Sequence, residues 1–478
     1  MSTASHSPLS PSTGAVAPHA AAGRSLALVL WLGFAGLALA LGLLLAGGTL
    51  PAGIGSLPGL SAVIGLLTLF VAAIVVAFSL RYMRADRRPA AYFGGIALLI
   101  ASVMLFVFAR HLVVLGIGWL ASGVLLARLI GHDTAWSEAR GAARRALLTF
   151  AVGDAALVAA LVLLVSQTGT AQVDAVLAAV PSLPGWVTLS AALLLLVAAA
   201  ARCALPPFAG WLLSSMTAPT PVSALMHAGL VNAGGFLLIR FAPVFEAAPI
   251  ARAAAVAIGL VAALYGVGVM SVRPDIKRSL AGSTVSQMGF MIMSCGLGAY
   301  AAALWHIVAH GLFKAWLFLG SGSSVGMRGD KPAGLAEPAT IGGVAVATLA
   351  VGAWLTLSPD ASGSLVPLLL GLATALATLV EGLTGNIPLR ARLAIGGLVA
   401  ALIGFHAAGL AAMHALLGAD APSLLPPWAL LALLGAFLAA WMWQQLRQAR
   451  ARPLPAALYV HLLNAGSAPA PALQTAEI

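Results

Sequence analysis

Charge is scarce in this sequence. Charged residues make up 8% of 478 positions, and acidic ones number 13. A water-soluble domain is about a quarter charged, so water is excluded as the main solvent. Cysteine is scarcer still: Cys203 and Cys295 each stand alone in an apolar stretch. With no CxxC pair or Cys/His cluster, a disulfide framework and a metal site are both unsupported. Strand-like alternation of polar and apolar residues is missing, which argues against a membrane barrel. Long polar insertions are missing too, and no loop could house a nucleotide-binding or redox module.

What remains is apolar. Hydrophobic residues are 61% of the chain and mean hydropathy is +1.03. Apolar runs recur at the length of a hydrocarbon core, about 18–25 residues. Lipid offers no hydrogen-bond partners, so such runs must be helices. The expected fold is an all-α polytopic membrane protein of roughly fourteen spans. They begin near Leu26, Leu60, Tyr92, Leu112, Ala146, Trp186, Val222, Ala253, Gly282, Ala302, Ile341, Leu365, Leu393 and Trp428. Residues 1–25 are Ser/Ala/Pro-rich and expected to be disordered. Arg24 then precedes an apolar run too long for a signal-peptide core, so an uncleaved first span is expected.

The net charge of +11 follows topology, not nucleic-acid binding. Arginines and lysines gather in loops after even-numbered spans: Arg81 to Arg88, Arg140 to Arg145, Arg273 to Arg278, Arg328 and Lys331, Arg390 and Arg392, then Arg447 to Arg452. Arg110 and Arg252 are exceptions. This alternation predicts cytoplasmic termini, with the spans over 26–446 and a cytoplasmic tail over 447–478.

Two stretches break helical regularity. Ala-Leu-Pro-Pro-Phe at 204–208 is followed by Ala-Pro-Thr-Pro at 218–221, and Glu-Gly-Leu-Thr-Gly-Asn-Ile-Pro occupies 381–388. Proline removes an amide and leaves helical geometry. Interrupted helices in both halves of a membrane protein point to a transport site between inverted repeats, although each stretch also suits a plain loop.

The spans also hold titratable residues, which lipid tolerates only when they face protein or a wet cavity. His306, His310 and Lys314 are spaced by four, and each step turns about 400°, so all three share a helix face. An amine held from water can exist without its proton, and imidazoles titrate near neutral pH. The stripe therefore suits a proton relay, and otherwise a packed polar face. Asp154 needs a cationic partner or a proton. Arg202 precedes the proline break and stays protonated, making it a fixed charge that could pair with an acid. His227 lies near Asn232 after the break. Lys277, with Asp275 and Arg278, forms a cytoplasmic turn that is either a topology signal or an ion entry. Glu381 sits in the second break, and His406 and His414 are weaker candidates.

Three blocks carry a family resemblance: MTAPTPVSALMHAGLVNAGGFLL (216–238), DIKRSLAGSTVSQMGFM (275–291) and HIVAHGLFKAWLFLGSGS (306–323). They resemble the antiporter-like subunits of respiratory complex I and of Mrp antiporters, over roughly residues 60–390. The resemblance implies a fourteen-helix core with two inverted five-helix repeats (about 111–272 and 282–417) and a mid-membrane chain of charged residues. By similarity His227, Lys277, His306, His310 and Lys314 fall on motif positions, and Asp154 on the aspartate of a Val-Gly-Asp motif. The chain departs from the pattern where Gly-Trp-Glu becomes Gly-Trp-Leu at 118–120, replacing an acid with Leu120. A motif lysine becomes Ala201, with Arg202 one place on. A Ser-Lys-Asp motif is replaced near 362–367.

These departures look more like DabB, the membrane subunit type of the two-component DAB inorganic-carbon accumulation systems. That resemblance implies proton or sodium flow in a bacterial inner membrane. It also implies a DabA-like, zinc-containing, carbonic-anhydrase-like partner, with no cofactor in this chain. The competing readings are a complex I or Mrp-type subunit and a non-conducting scaffold.

Overall fold

The computed structural model describes residues 18–46, 58–324, 338–356, 365–373, 388–418, 420–449 and 454–466. Among them there is no strand, only an isolated bridge between His111 and Gln172. The helices are α1 (Pro18–Leu45), α2 (Gly59–Tyr82), α3 (Pro89–Val107), α4 (Leu112–Ile130), α5 (Ser137–Thr168), α6 (Val173–Ala179) and α7 (Gly185–Arg202). They continue with α8 (Gly210–Ser214), α9 (Thr220–Ala228), α10 (Ala233–Arg240), α11 (Ala242–Glu246), α12 (Pro249–Val272), α13 (Ile276–Leu297) and α14 (Tyr300–Gly320). The last are α15 (Pro338–Thr356), α16 (residues 365–373), α17 (Leu389–Leu417), α18 (Pro427–Ala449) and α19 (Ala456–Leu463).

Eleven of the described helical segments are long and apolar enough to cross a membrane. Helix α13 is not among them, because Ser, Thr, Gln and Gly interrupt its apolar sequence; it is nevertheless buried along one side against α12. Glycine makes that contact close. A methyl at Gly266 would fall 2.2 Å from the Ser286 amide nitrogen, and one at Gly259 2.5 Å from the Gly289 carbonyl. Small residues let backbones approach where lipid supplies no hydrophobic drive. Large apolar side chains such as Leu32, Val261, Phe313 and Trp316 point outward instead, as lipid-facing surfaces should.

Two boundaries differ from the sequence expectation. Helix α1 begins at Pro18, inside the stretch expected to be disordered, because the Ala-rich segment after Pro18 has high helix propensity and proline suits a first turn. Helix α5 begins at Ser137, ahead of the apolar run, and carries Arg140, Arg144 and Arg145 in its first turns.

The first interruption is present as expected. Helix α7 ends at Arg202, and Ala204 takes a left-handed φ of 56°, the conformation that commonly follows a helix end. The short α8 and a tight turn lead to α9. A further break, not flagged by the prolines, lies inside the next span: Gly229 adopts φ −121°, ψ −70°, and residues 230–232 form a 3₁₀ turn before α10. The second expected break lies outside the described residues except for Pro388, which precedes α17.

Candidate functional site

Two buried polar clusters flank the broken helix. The first joins α4, α5 and α7. Arg202, with 2% of its side chain exposed, donates to the Asp154 carboxylate at 3.0 Å. The Trp119 indole donates to the same oxygen at 2.8 Å. Arg202 also donates to the Ser122 hydroxyl and the Trp119 carbonyl, each at 3.2 Å. Its guanidinium lies 4.5 Å from the Trp119 ring centre and 4.7 Å from that of Phe150. Gly123 makes the room, since a methyl there would come within 3.1 Å of the guanidinium nitrogens. Every charge here is answered by an opposite charge, a hydrogen bond or an aromatic face.

Sequence reasoning required a cation for Asp154 and allowed an acid for Arg202, but did not join them. Their separation is 48 residues, and no local pattern spans it. The partners Trp119 and Ser122 were missed, although Trp119 belongs to the altered Gly-Trp-Leu motif. Leu120 packs against the apolar core, and Ala201 is buried where a methyl at Gly153 would strike it. Ala201 is 1% exposed, so a lysine there would need its neighbours to repack, whereas Leu120 is only partly buried.

The second cluster joins α9, α13 and α14. Lys314 is 1% exposed, and its amine donates to the Leu280 carbonyl at 3.2 Å. The Thr284 hydroxyl also donates to that carbonyl, at 3.0 Å. Thr284 lies 3.0 Å from His227 Nδ1, so with its own hydrogen on Leu280 it accepts from the imidazole. His227 is fully buried and stacks on Phe318 at 4.2 Å between ring centres. Below it on α14 the His310 and His306 rings stack at 5.6 Å. The Nε2 atoms of His227, His306 and His310 are buried without a hydrogen-bond partner among the described residues. Among the described residues no carboxylate lies within salt-bridge distance of Lys314.

The stripe of His306, His310 and Lys314 thus turns inward, while Phe313 and Trp316 of the same helix face out. Leu280 is four residues into α13, about 6 Å from its start, so the amine reaches toward the end carrying Arg273 and Lys277. Lys277 is half-buried in the first turn of α13, which Asp275 caps. A cation at the positive end of a helix dipole is disfavoured. Thr284, missed in the sequence, lies seven residues beyond Lys277 and therefore on the same helix face.

Between the clusters, at the Gly229 break, is a cavity of about 20 Å³ lined by Ser122, Asn232, Phe106, Ile307 and others. One water needs about 10–15 Å³ measured this way. Asn232 donates to the Ala228 carbonyl, while its own side-chain oxygen is buried and unpartnered. Glu381 lies outside the described residues. Among those residues no three His, Cys, Asp or Glu side chains could hold a metal ion.

A broken helix threaded between a closed ion pair and a buried file of imidazoles and amine defines an antiporter-like membrane subunit. The chain belongs to the NADH:quinone oxidoreductase/Mrp antiporter transmembrane family, whose pattern matches residues 109–399. It is 40% identical over 272 residues to the probable inorganic carbon transporter subunit DabB1 of Halothiobacillus neapolitanus, covering 56% of this chain and 49% of that one. It is likewise 40% identical over 258 residues to NADH-quinone oxidoreductase subunit L of Mycobacterium tuberculosis, covering 53% and 41%. The chain therefore spans about half the length of these relatives or less. The Mrp complex from Dietzia sp. DQ12-45-1b shares the fold, with a TM-score of 0.63 at 24% identity, over 93% of this chain and 58% of that one.

Proposed function

We propose that this chain is the proton-conducting membrane subunit of an energy-coupled inorganic-carbon uptake complex. In this reading Lys277 receives protons from the cytoplasmic side, and Thr284 and His227 link it to Lys314. His310 and His306 continue the path, while Asp154 and Arg202 set the field beside it. A carbonic-anhydrase-like, zinc-containing partner of the DabA kind carries the carbon chemistry. The membrane is the bacterial inner membrane, with both termini cytoplasmic. The two-repeat organisation and Glu381 in the second break belong to the same reading.

The observation that carries it is the burial of Lys314 beside three imidazoles with no acid among the described residues to neutralise it. A permanently charged amine there costs several kcal/mol, and a structural role would be filled better by an apolar side chain. An amine that gains and loses a proton accounts for both its burial and its company. The carbon-uptake assignment rests on the 40% identity to inorganic carbon transporter subunits together with Leu120 and Ala201 at the two altered motif positions.

A second reading, a subunit of a proton-translocating NADH-quinone oxidoreductase or Mrp-type antiporter, is favoured by the equal identity to subunit L. Purification from the native membrane separates the two by what accompanies the chain. A zinc protein supports carbon uptake; a set of dehydrogenase or antiporter subunits overturns it. Conduction is tested by Lys314→Ala, expected to abolish bicarbonate accumulation at an unchanged amount of assembled complex. Unchanged uptake would leave the chain a scaffold.

A further inference from the structure

The file of imidazoles on α14 ends five residues short of a second polar group, at the helix end away from Arg273 and Lys277. Asp420, in the loop between α17 and α18, accepts from the Ala301 amide in the first turn of α14 at 3.3 Å. Its side chain is 7% exposed, and its Oδ2 atom has no hydrogen-bond partner among the described residues. His414 of α17 lies 3.7 Å from that oxygen and is 36% exposed, so it touches both the carboxylate and the surface. Tyr300, also in the first turn of α14, has a buried hydroxyl without a partner.

The loop is pinned, not draped. The Ala421 amide donates to the Gly298 carbonyl at 3.2 Å. Arg252 of α12 donates to the carbonyls of Gly296 at 3.1 Å and Pro422 at 3.0 Å, so its charge is spent on backbone oxygens and not on Asp420. The titratable groups facing the carboxylate are His414 from α17 and Tyr300 from α14, and around Tyr300 in turn lie Arg252 from α12, Glu246 from α11 and Cys295 from α13. Burial holds the Asp420 carboxyl above the usual carboxylate range, against the opposing pull of the Ala301 amide, His414 and the Tyr300 amide. A carboxyl so placed exchanges its proton closer to neutral pH than an exposed aspartate does.

Unpartnered buried polar atoms are rare and each calls for a reason. Here they follow one another along α14: His310 Nε2, His306 Nε2, the Tyr300 hydroxyl and then Asp420 Oδ2. From the level of Ala301 to that of His306 is about 7.5 Å along the axis, so a proton transfer across that gap needs a water relay or a side-chain movement between the two.

We infer that Asp420 is the acceptor through which the α14 histidine file exchanges protons with the side opposite the arginine-rich loops, His414 passing them to water. The step is a proton transfer only: the imidazolium of His306 loses a proton, the carboxylate gains it, and His414 takes it onward. The inference rests on the proposed conduction path and adds an outer terminus to it.

The bland alternative is that Asp420 merely caps α14. Asparagine caps a helix start as well as aspartate but cannot carry a proton, so Asp420→Asn separates the roles. The complex would be assayed in right-side-out membrane vesicles, with an imposed gradient, a dye reporting interior pH, and the outside pH varied. Asp420→Asn should assemble and melt like the parent, and proton flux should fall about a hundredfold, the low end for losing a positioned acid–base group. Asp420→Glu should recover most of the flux with a displaced dependence on outside pH, and His414→Gln should weaken that dependence. Full flux with an unaltered outside-pH profile in Asp420→Asn would overturn the inference, leaving a cap. Should Asp420→Asn fail to assemble, the glutamate variant decides, an undisplaced profile overturning the inference. A parent complex without flux would instead overturn the conduction reading itself.

Discussion

The two clusters beside the broken helix solve the problem of buried charge in opposite ways. At Arg202 the charge is permanent, so the protein surrounds it: a carboxylate, a hydroxyl, a carbonyl and two aromatic faces. At Lys314 one carbonyl and no described acid answer the amine, and the neighbouring imidazoles leave ring nitrogens unpartnered. A closed network is built to stay charged. An open one is built to change charge, since polar atoms left unpaired in one protonation state are available in the next. The difference separates a fixed field from a moving proton.

Substitutions that break one cluster at a time sharpen the contrast. The largest effect is expected from Lys314→Met, which should cut proton flux by roughly a hundredfold or more while leaving thermal stability equal or higher. An apolar side chain of similar volume removes a buried charge without stranding a partner. Flux measured in vesicles and melting of the purified protein check the two halves, and a large loss of stability would contradict an open cluster.

Asp154→Asn should do the reverse to stability. It strands the buried guanidinium, and breaking such a pair costs about 3–5 kcal/mol, visible as a lower melting temperature. If Asp154→Asn melts like the parent, the first cluster is not the closed network described. Flux in this variant should fall less than in Lys314→Met.

Thr284→Val comes next. It keeps the side-chain shape but removes the hydroxyl joining His227 to the Leu280 carbonyl. Leaving one buried polar group unpaired costs about 1–3 kcal/mol, and flux should drop while Thr284→Ser retains it. Equal flux in the two variants would remove Thr284 from the path. Arg202→Lys should act more gently, keeping the charge while losing the planar fork that reaches Asp154, Ser122 and Trp119 together. Its signature is a displaced pH profile of uptake; an unmoved profile counts against Arg202 as a tuning charge. The smallest effect is expected at Gly123→Ala, whose methyl would press on the guanidinium at 3.1 Å. Overpacking of this kind costs about 1–3 kcal/mol, and the low end applies because the guanidinium can shift. Stability should fall slightly and flux hardly at all.

Much of this was legible in the sequence, and unevenly so. The stripe on α14 was readable because a spacing of four is a local property: His306, His310 and Lys314 share a face whatever packs against them. The broken segment after Arg202 was readable from its prolines. The break at Gly229 was not, because a glycine in a glycine-rich span signals close packing as readily as interruption. Gly234 does pack closely, since a methyl there would meet Cys203 Sγ at 2.5 Å. Helix α13, read as a span from near Gly282, starts earlier, at Ile276, and its polar residues are covered by α12. Asp420 gave no signal, lying in a loop where acids are ordinary.

Hydropathy and loop charge by themselves determined that the chain is a polytopic bundle of helices. Lipid leaves the backbone no other way to pair its polar groups, and that constraint acts on each segment alone. The sequence likewise determined which helices carry ionisable groups. Only the tertiary structure decided which of those groups meet. The Arg202–Asp154 contact spans 48 residues, His227–Thr284 57 and Asp420–Ala301 119, each set by how helices cross. Whether a buried charge is closed or open depends on neighbours from other helices, and those are fixed only by packing.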